Sequence, residues 1–208
     1  MSGAREEILG RIRTALLAGG GDAGLARKEA VRPALQQDPV TNFVDKLKAA
    51  SASVTRVPDL PDVVEAIADY LQHHHLPTAL VIGNDPPLPE LAWPADWELA
   101  RRPAAGDDHV SVTGAFAAIA ETGSLVMLSG PGHPTSLNFL PDDHIVVLRA
   151  SQVVAHMEDV WALLRARDGG MPRTVNIITG PSRTADVEQT IQLGAHGPRR
   201  LHVVLVAG

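Results

Sequence analysis

The stretch PDVVEAIADYLQHHHLPTALVI, Pro61 to Ile82, carries the pattern on which the fold turns. Val63, Val64, Ile67, Ala68 and Leu71 recur at the spacing of one helical face. Pro61 stands near the start of the run, where its missing N–H costs nothing, and Pro77 ends it. His73, His74 and His75 close the helix, where imidazolium suits the negative end of the dipole. Ala79-Leu80-Val81-Ile82 then follows without a polar residue. A continuously apolar strand must be covered on both faces, which is the habit of parallel sheets with helical crossovers.

Outward from this unit the same alternation continues. Phe43, Val44 and Leu47 predict a helix within Pro39 to Ser51, followed by a β-branched strand at Val54 to Val57. Asp85 to Leu91 is a proline-rich loop. Val110 to Thr113, Phe116 to Ala120 and Ser124 to Leu128 predict strands, the last two joined in a β-hairpin by Glu121-Thr122-Gly123. Ile145 to Leu148 is a further buried strand, and Val153 to Arg167 carries an apolar helical stripe that stops at Gly169-Gly170. Thr174 to Thr179 then predicts a strand, Thr184 to Leu193 a helix and Leu201 to Val206 a last strand. Strands alternating with helices imply a three-layer α/β/α sandwich with a mainly parallel sheet and an inserted β-hairpin.

Ahead of this body, Ile8, Leu9, Ile12, Ala15 and Leu16 have helical spacing within Ala4 to Leu17, and a glycine-rich stretch runs from Gly19 to Pro33. Residues 1–33 therefore read as an amphipathic helix and linker, and residues 34–208 as one α/β domain. The helix either folds back on its own domain or meets another protein.

Composition narrows the function. The net charge of −6, without a Lys/Arg stripe, argues against nucleic acid, and seven aromatics leave little for base stacking. There is no cysteine in the chain, so it offers no thiolate to an iron–sulfur cluster and no disulfide. Acidic residues near Met1 and the lack of an apolar segment behind them speak against a secretion signal, and no run approaches the ~18 apolar residues of a membrane span. The expectation is a cytoplasmic protein that does not enter the membrane. The nine histidines fall in no zinc pattern, and no metal site is expected.

Three segments could carry chemistry. In Ala118 to Val126, Glu121 sits at the hairpin turn between apolar strands, where it is either a solvated turn residue or a base, nucleophile or ligand clamp, with Thr122, Gly123 and Ser124 beside it. In Thr179 to Asp186, the residues Gly180, Pro181, Ser182, Arg183, Thr184 and Asp186 follow an apolar strand and open the expected helix. Backbone N–H groups there suit a phosphate or carboxylate, while Thr184 or Asp186 could equally cap the helix. This turn lacks both the Walker ending and the G-x-G-x-x-G spacing. Glu121 and the Gly180 to Thr184 turn are expected to face one pocket beyond the carboxyl ends of parallel strands. The loop Gly130 to Ser136 is either a mobile wall over a site or ordinary punctuation.

AIAETGSLV (Ala118 to Val126), ITGPSRTADVE (Ile178 to Glu188) and GAHGPRRLHVVLV (Gly194 to Val206) together resemble the LUD domain of the lactate-utilisation protein C family. The resemblance implies a fold related to glucosamine-phosphate deaminases, ribose-phosphate isomerases and CoA-transferases. It further implies a part in oxidising L-lactate to pyruvate, with no cofactor in this chain and iron–sulfur clusters in partner subunits. In CoA-transferases a Glu followed one residue later by Gly is the nucleophile, and Glu121-Thr122-Gly123 is similar in that respect. An independent enzyme for an acyl-CoA or sugar phosphate, acting through Glu121, and a non-catalytic ligand-binding module stand as alternatives.

Overall fold

The computed structural model describes residues 2–18, 32–184, 192–194 and 196–208. The chain divides into two compact units, Met1–Arg32 and Pro33–Gly208. The first contains helix α1 (Ser2–Ala18), in which Glu7 and Arg11 pair one turn apart at 3.2 Å and the Thr14 hydroxyl donates back to the Gly10 carbonyl. No described helix is long and apolar enough to cross a membrane.

The second unit runs α2 (Pro39–Ala49), β1 (Ser53–Val57), α3 (Asp62–His73), β2 (Ala79–Ile82), β3 (Glu98–Ala100), β4 (Val110–Gly114), β5 (Ala117–Ile119), β6 (Ser124–Leu128), β7 (Asp143–Arg149), β8 (Val153–Val154), α4 (Met157–Ala166), β9 (Val175–Ile178), β10 (Arg183–Thr184), β11 (Gln192–Leu193) and β12 (Arg200–Val206). Helix α2 starts where expected because Pro39 presets the first turn and the Asp38 carboxylate accepts from the Thr41 N–H at 3.1 Å.

Six strands form one all-parallel sheet in the order β1-β12-β7-β4-β2-β3. On one face lie Val112, Ile145, Val147 and Val204, packed with Val63, Ile67 and Leu71 of α3. On the other, Val146, Leu148, Val203 and Leu205 meet Phe43 and Leu47 of α2 together with Leu125 and Met127. Both faces are dry, as the uninterrupted Leu80-Val81-Ile82 run demands, and all three of these residues are buried. Strand β3 carries no pattern legible in sequence, since it is three partly exposed residues at the sheet edge.

The hairpin forms as expected, with Ala117 opposite Val126 and Ile119 opposite Ser124. It does not join the large sheet. It founds a second one, ordered β8-β5-β6-β9, whose far face packs Ala117, Ile119 and Val126 on Val160 and Leu164 of α4.

Two expected helices change. Val153 and Val154 fit the helical stripe, yet their backbone pairs with Ala118 and Ile119, and the helix begins only after His156, whose N–H is held by the Asp159 carboxylate at 2.9 Å. For the helix expected over Thr184 to Leu193, both ends are strand: Arg183 pairs with Leu193 and Thr184 with Gln192. Bonds from Gly194 N–H to Ser182 O (3.0 Å) and from Ser182 N–H to Pro198 O (2.9 Å) draw the ends together. Asp186, with the rest of 185–191, lies outside the described residues.

Candidate functional site

The two motif segments meet through β6 and β9, which pair antiparallel with Leu125 opposite Ile178. The pairing brings three hydroxyls into a chain, Thr122 Oγ1 to Ser124 Oγ at 2.7 Å and Ser124 Oγ to Thr179 Oγ1 at 2.6 Å. Gly123 (φ +70°) and Gly180 (φ +85°) both press on the end of α2. A Cβ at Gly123 would fall 2.5 Å from the Leu47 nitrogen, and one at Gly180 would fall 2.3 Å from the Ala50 carbonyl oxygen. Their glycines are therefore set by backbone geometry and close approach, which is a structural reason for both motifs.

Glu121 turns away from this cluster. Its Oε2 lies 3.0 Å from His156 Nδ1, and its Oε1 accepts from the Met157 N–H at 2.9 Å. The His156 hydrogen bond and the Met157 N–H hold the carboxyl below its ordinary value, against an opposing push from partial burial. Both oxygens are thus engaged at the first turn of α4, where a negative charge also meets the positive end of the helix dipole.

Ser182 and Arg183 instead border a cavity of about 310 Å³ between the two sheets, with Asn138, His144, Ile178 and Gly197. Glu121 is not part of its lining. Among the described residues Glu121 and the Ser182 turn therefore do not share this cavity, and β9 pairs antiparallel with β6 in the small sheet instead of ending at the crevice of the parallel one.

That crevice lies elsewhere. The connection after β2 leads outward to β3, whereas β4 is followed inward by β7 and β12, so the direction of winding reverses between β2 and β4. Open α/β sheets bind ligands beyond the carboxyl ends of the strands at such a reversal. A cavity of about 380 Å³ is found there, bordered by Asp85, Gly114, Ser129, Gly132, Gln152 and Arg167. Asp85, just beyond β2, reaches the loop Gly130 to Ser136, and its Oδ2 lies 2.6 Å from His133 Nδ1. Nε2 of the same ring lies 2.8 Å from Asn138 Oδ1, and Asn138 borders the cavity between the sheets. A single buried imidazole therefore joins two cavities. Burial alone would pull the His133 value down, but the hydrogen bond and charge of Asp85, helped by Asn138, hold it above the ordinary 6.5. The Asp85 carboxylate at Nδ1 and the Asn138 oxygen at Nε2 both favour the protonated form of the ring.

Beside β1 and α3 lies a larger hollow of about 1030 Å³. Its polar wall is structural: the Arg200 guanidinium forks onto the fully buried Asp143 at 2.5 and 2.6 Å, and Tyr70 donates to the same carboxylate at 2.8 Å. His202 there stacks on Tyr70 and meets the Ser53 hydroxyl at 2.7 Å, and burial pushes the ring down to about 4. Among the described residues no group of His, Asp and Glu could hold a metal ion.

Sequence reasoning singled out the Gly130 to Ser136 loop but not His133 within it, and passed over Asp85 and Asn138. A carboxylate directly after a buried parallel strand was the available signal for Asp85; its pairing across 48 residues was not legible.

Fold and cavities define an α/β protein with a parallel core sheet, a smaller mixed sheet and a ligand-sized crevice at the reversal of winding. The chain belongs to the LUD domain family, whose pattern matches residues 40–206. A lactate utilization protein C from Exiguobacterium sp. is 37% identical over 117 residues, 55% of this chain and 51% of that protein. The protein of the same name from Bacillus subtilis is 30% identical over 122 residues, 57% of this chain and 51% of that one. An uncharacterized protein of Neisseria meningitidis serogroup B is 35% identical over 94 residues, 45% and 40% of the two chains. The chain spans about half the length of the curated relatives it matches. A DUF162 family protein from Deinococcus radiodurans shares the fold with a TM-score of 0.63 at 24% identity, over 84% of this chain and 99% of that one.

Proposed function

We propose that this chain serves lactate utilisation as a subunit without redox centres of its own, acting beside partner subunits whose iron–sulfur clusters carry the electrons from L-lactate oxidation to pyruvate. One observation carries the reading: the match to the LUD family over residues 40–206, among relatives named lactate utilization protein C. The complete lack of cysteine supports the division of labour, because a chain without thiolates has nothing with which to hold an ordinary cluster. The role of this subunit is to bind a small molecule and its partners. The hydrogen bonds on both Glu121 oxygens lower the basicity of the carboxylate and tie it to the α4 N-terminus, which favours this over an independent enzyme that uses Glu121 as nucleophile.

The test is deletion of the gene in its own organism, followed by growth on L-lactate and on glucose and by affinity capture of the tagged chain with iron analysis. The expected result is loss of growth on L-lactate alone, restored by the intact gene, with iron-bearing proteins in the captured material. Unchanged growth on L-lactate, or capture without iron, overturns the reading.

A further inference from the structure

Two polar atoms next to the cavity between the sheets have no partner. Asn138 is 1% exposed and His144 is fully buried, yet Asn138 Nδ2 and His144 Nδ1 have no hydrogen-bond partner among the described residues. Burying such groups unpaired is unfavourable, so a pair of them at one cavity calls for an occupant.

Their hydrogen-bonding roles follow from their neighbours. The Asp85 carboxylate accepts from His133 Nδ1, and Nε2 of the same ring faces Asn138 Oδ1 at 2.8 Å. With its oxygen against the His133 ring, Asn138 leaves its N–H₂ unpaired in a residue that borders the cavity. Burial pushes the His144 ring down to about 3, so it is neutral, and its Nε2 lies 2.8 Å from the Thr113 hydroxyl. The Thr113 hydroxyl has no other acceptor among the described residues, so its proton goes to Nε2 and the ring proton sits on Nδ1. The two unpaired atoms are thus both donors.

We propose that this cavity is a binding site for a small organic carboxylate, whose oxygens accept from the Asn138 amide and from His144 Nδ1–H. Arg183, exposed at the same cavity, supplies a positive charge at its rim. The Ile178, Pro181, Pro198 and Leu201 walls are apolar and suit a short hydrocarbon portion, which inorganic phosphate lacks. At about 310 Å³ the cavity matches a small metabolite and not a coenzyme. The buried His133 ties the recognition amide to Asp85 in the crevice on the other side, so Asp85 and His133 are positioning residues for Asn138. Lactate enters as a compound to test on the strength of the lactate-utilisation reading, whereas the chemical class stands on the cavity alone.

The experiment titrates the full chain, labelled with ¹⁵N-histidine, with L-lactate, pyruvate, acetate and inorganic phosphate, and follows the ring nitrogens together with the melting temperature. The expected result is a saturable shift of His144 Nδ1 and a rise in melting temperature with at least one of the carboxylates. Phosphate leaves both unchanged, and Asn138→Ala weakens carboxylate binding tenfold or more. Should Asn138→Ala fail to fold, the His144 shift in the unaltered protein decides the matter. No His144 shift with any carboxylate, an equal response to phosphate, or unaltered affinity in a folded Asn138→Ala overturns the site. The two readings fail separately: carboxylate binding in a chain dispensable for growth on L-lactate removes the proposed function and leaves the site. A growth requirement without carboxylate binding does the reverse.

Discussion

Gly123→Ala isolates what the hairpin motif is for. Gly123 has φ +70°, a conformation that costs an L-residue about 1 kcal/mol, and its added Cβ would stand 2.5 Å from the Leu47 nitrogen and 2.7 Å from Lys46 carbon atoms. Two of the three nearest atoms are α2 backbone and cannot rotate aside, so relief requires the hairpin and helix to separate by several tenths of an ångström. Overpacking of that kind adds about 2 kcal/mol. The expected total of about 3 kcal/mol corresponds to a fall of about 6–12 °C in melting temperature for a domain of this size. Gly169→Ala is the control, because φ is +92° there but nothing lies within 4 Å of the added carbon. It should cost the backbone part alone, about 1 kcal/mol or about 2–4 °C. Thermal unfolding followed by circular dichroism, with urea midpoints at unchanged slope, makes the comparison. Equal losses for the two variants would refute the close approach of hairpin and α2.

Two further outcomes follow from the charged groups. Glu121→Gln should lower the melting temperature by an amount corresponding to about 1 kcal/mol at neutral pH, through loss of charge at the α4 N-terminus. Because the folded-state Glu121 carboxyl lies below its ordinary value of 4.5, its contribution is present above that value and is lost as the pH falls through the folded one. The gap between variant and parent should therefore close in acid; a gap independent of pH removes the capping role. Asp85→Asn should destabilise by about 2 kcal/mol at pH 5, since it removes the negative charge beside the buried His133 ring while that ring is protonated. The folded-state value of His133 is raised above 6.5, so the stability that pairing contributes is complete below 6.5 and fades as the pH rises through the folded value. Urea titrations from pH 5 to 9 should show the two proteins converging, and a gap that widens with pH contradicts the assignment.

Periodicity alone determined the large elements of this protein. The Val63 to Leu71 face and the Leu80-Val81-Ile82 run specify a helix and a strand buried on both sides, and the hairpin around Glu121 to Gly123 follows from apolar strands flanking a glycine that can take positive φ. Such features depend on neighbours a few residues apart, which is what a sequence displays. The resemblance at Ala118 to Val126 and Ile178 to Glu188 likewise identified the family, although those glycines serve contact with α2. Tertiary structure alone decided which sheet the hairpin joins and what becomes of Val153-Val154 and Arg183-Thr184. Each is a short segment whose backbone groups are satisfied by a strand already in place, and that partner is distant in sequence. The same holds for the candidate site. Glu121 looked available as a lone acid in a turn until the first turn of α4 was brought against it, and Asp85, His133, Asn138 and His144 gain their roles only where separate loops converge on one buried ring. Hydrogen bonds between side chains set far apart along the chain leave no period in the sequence, so only the folded arrangement could reveal which polar groups are paired and which are left facing a cavity.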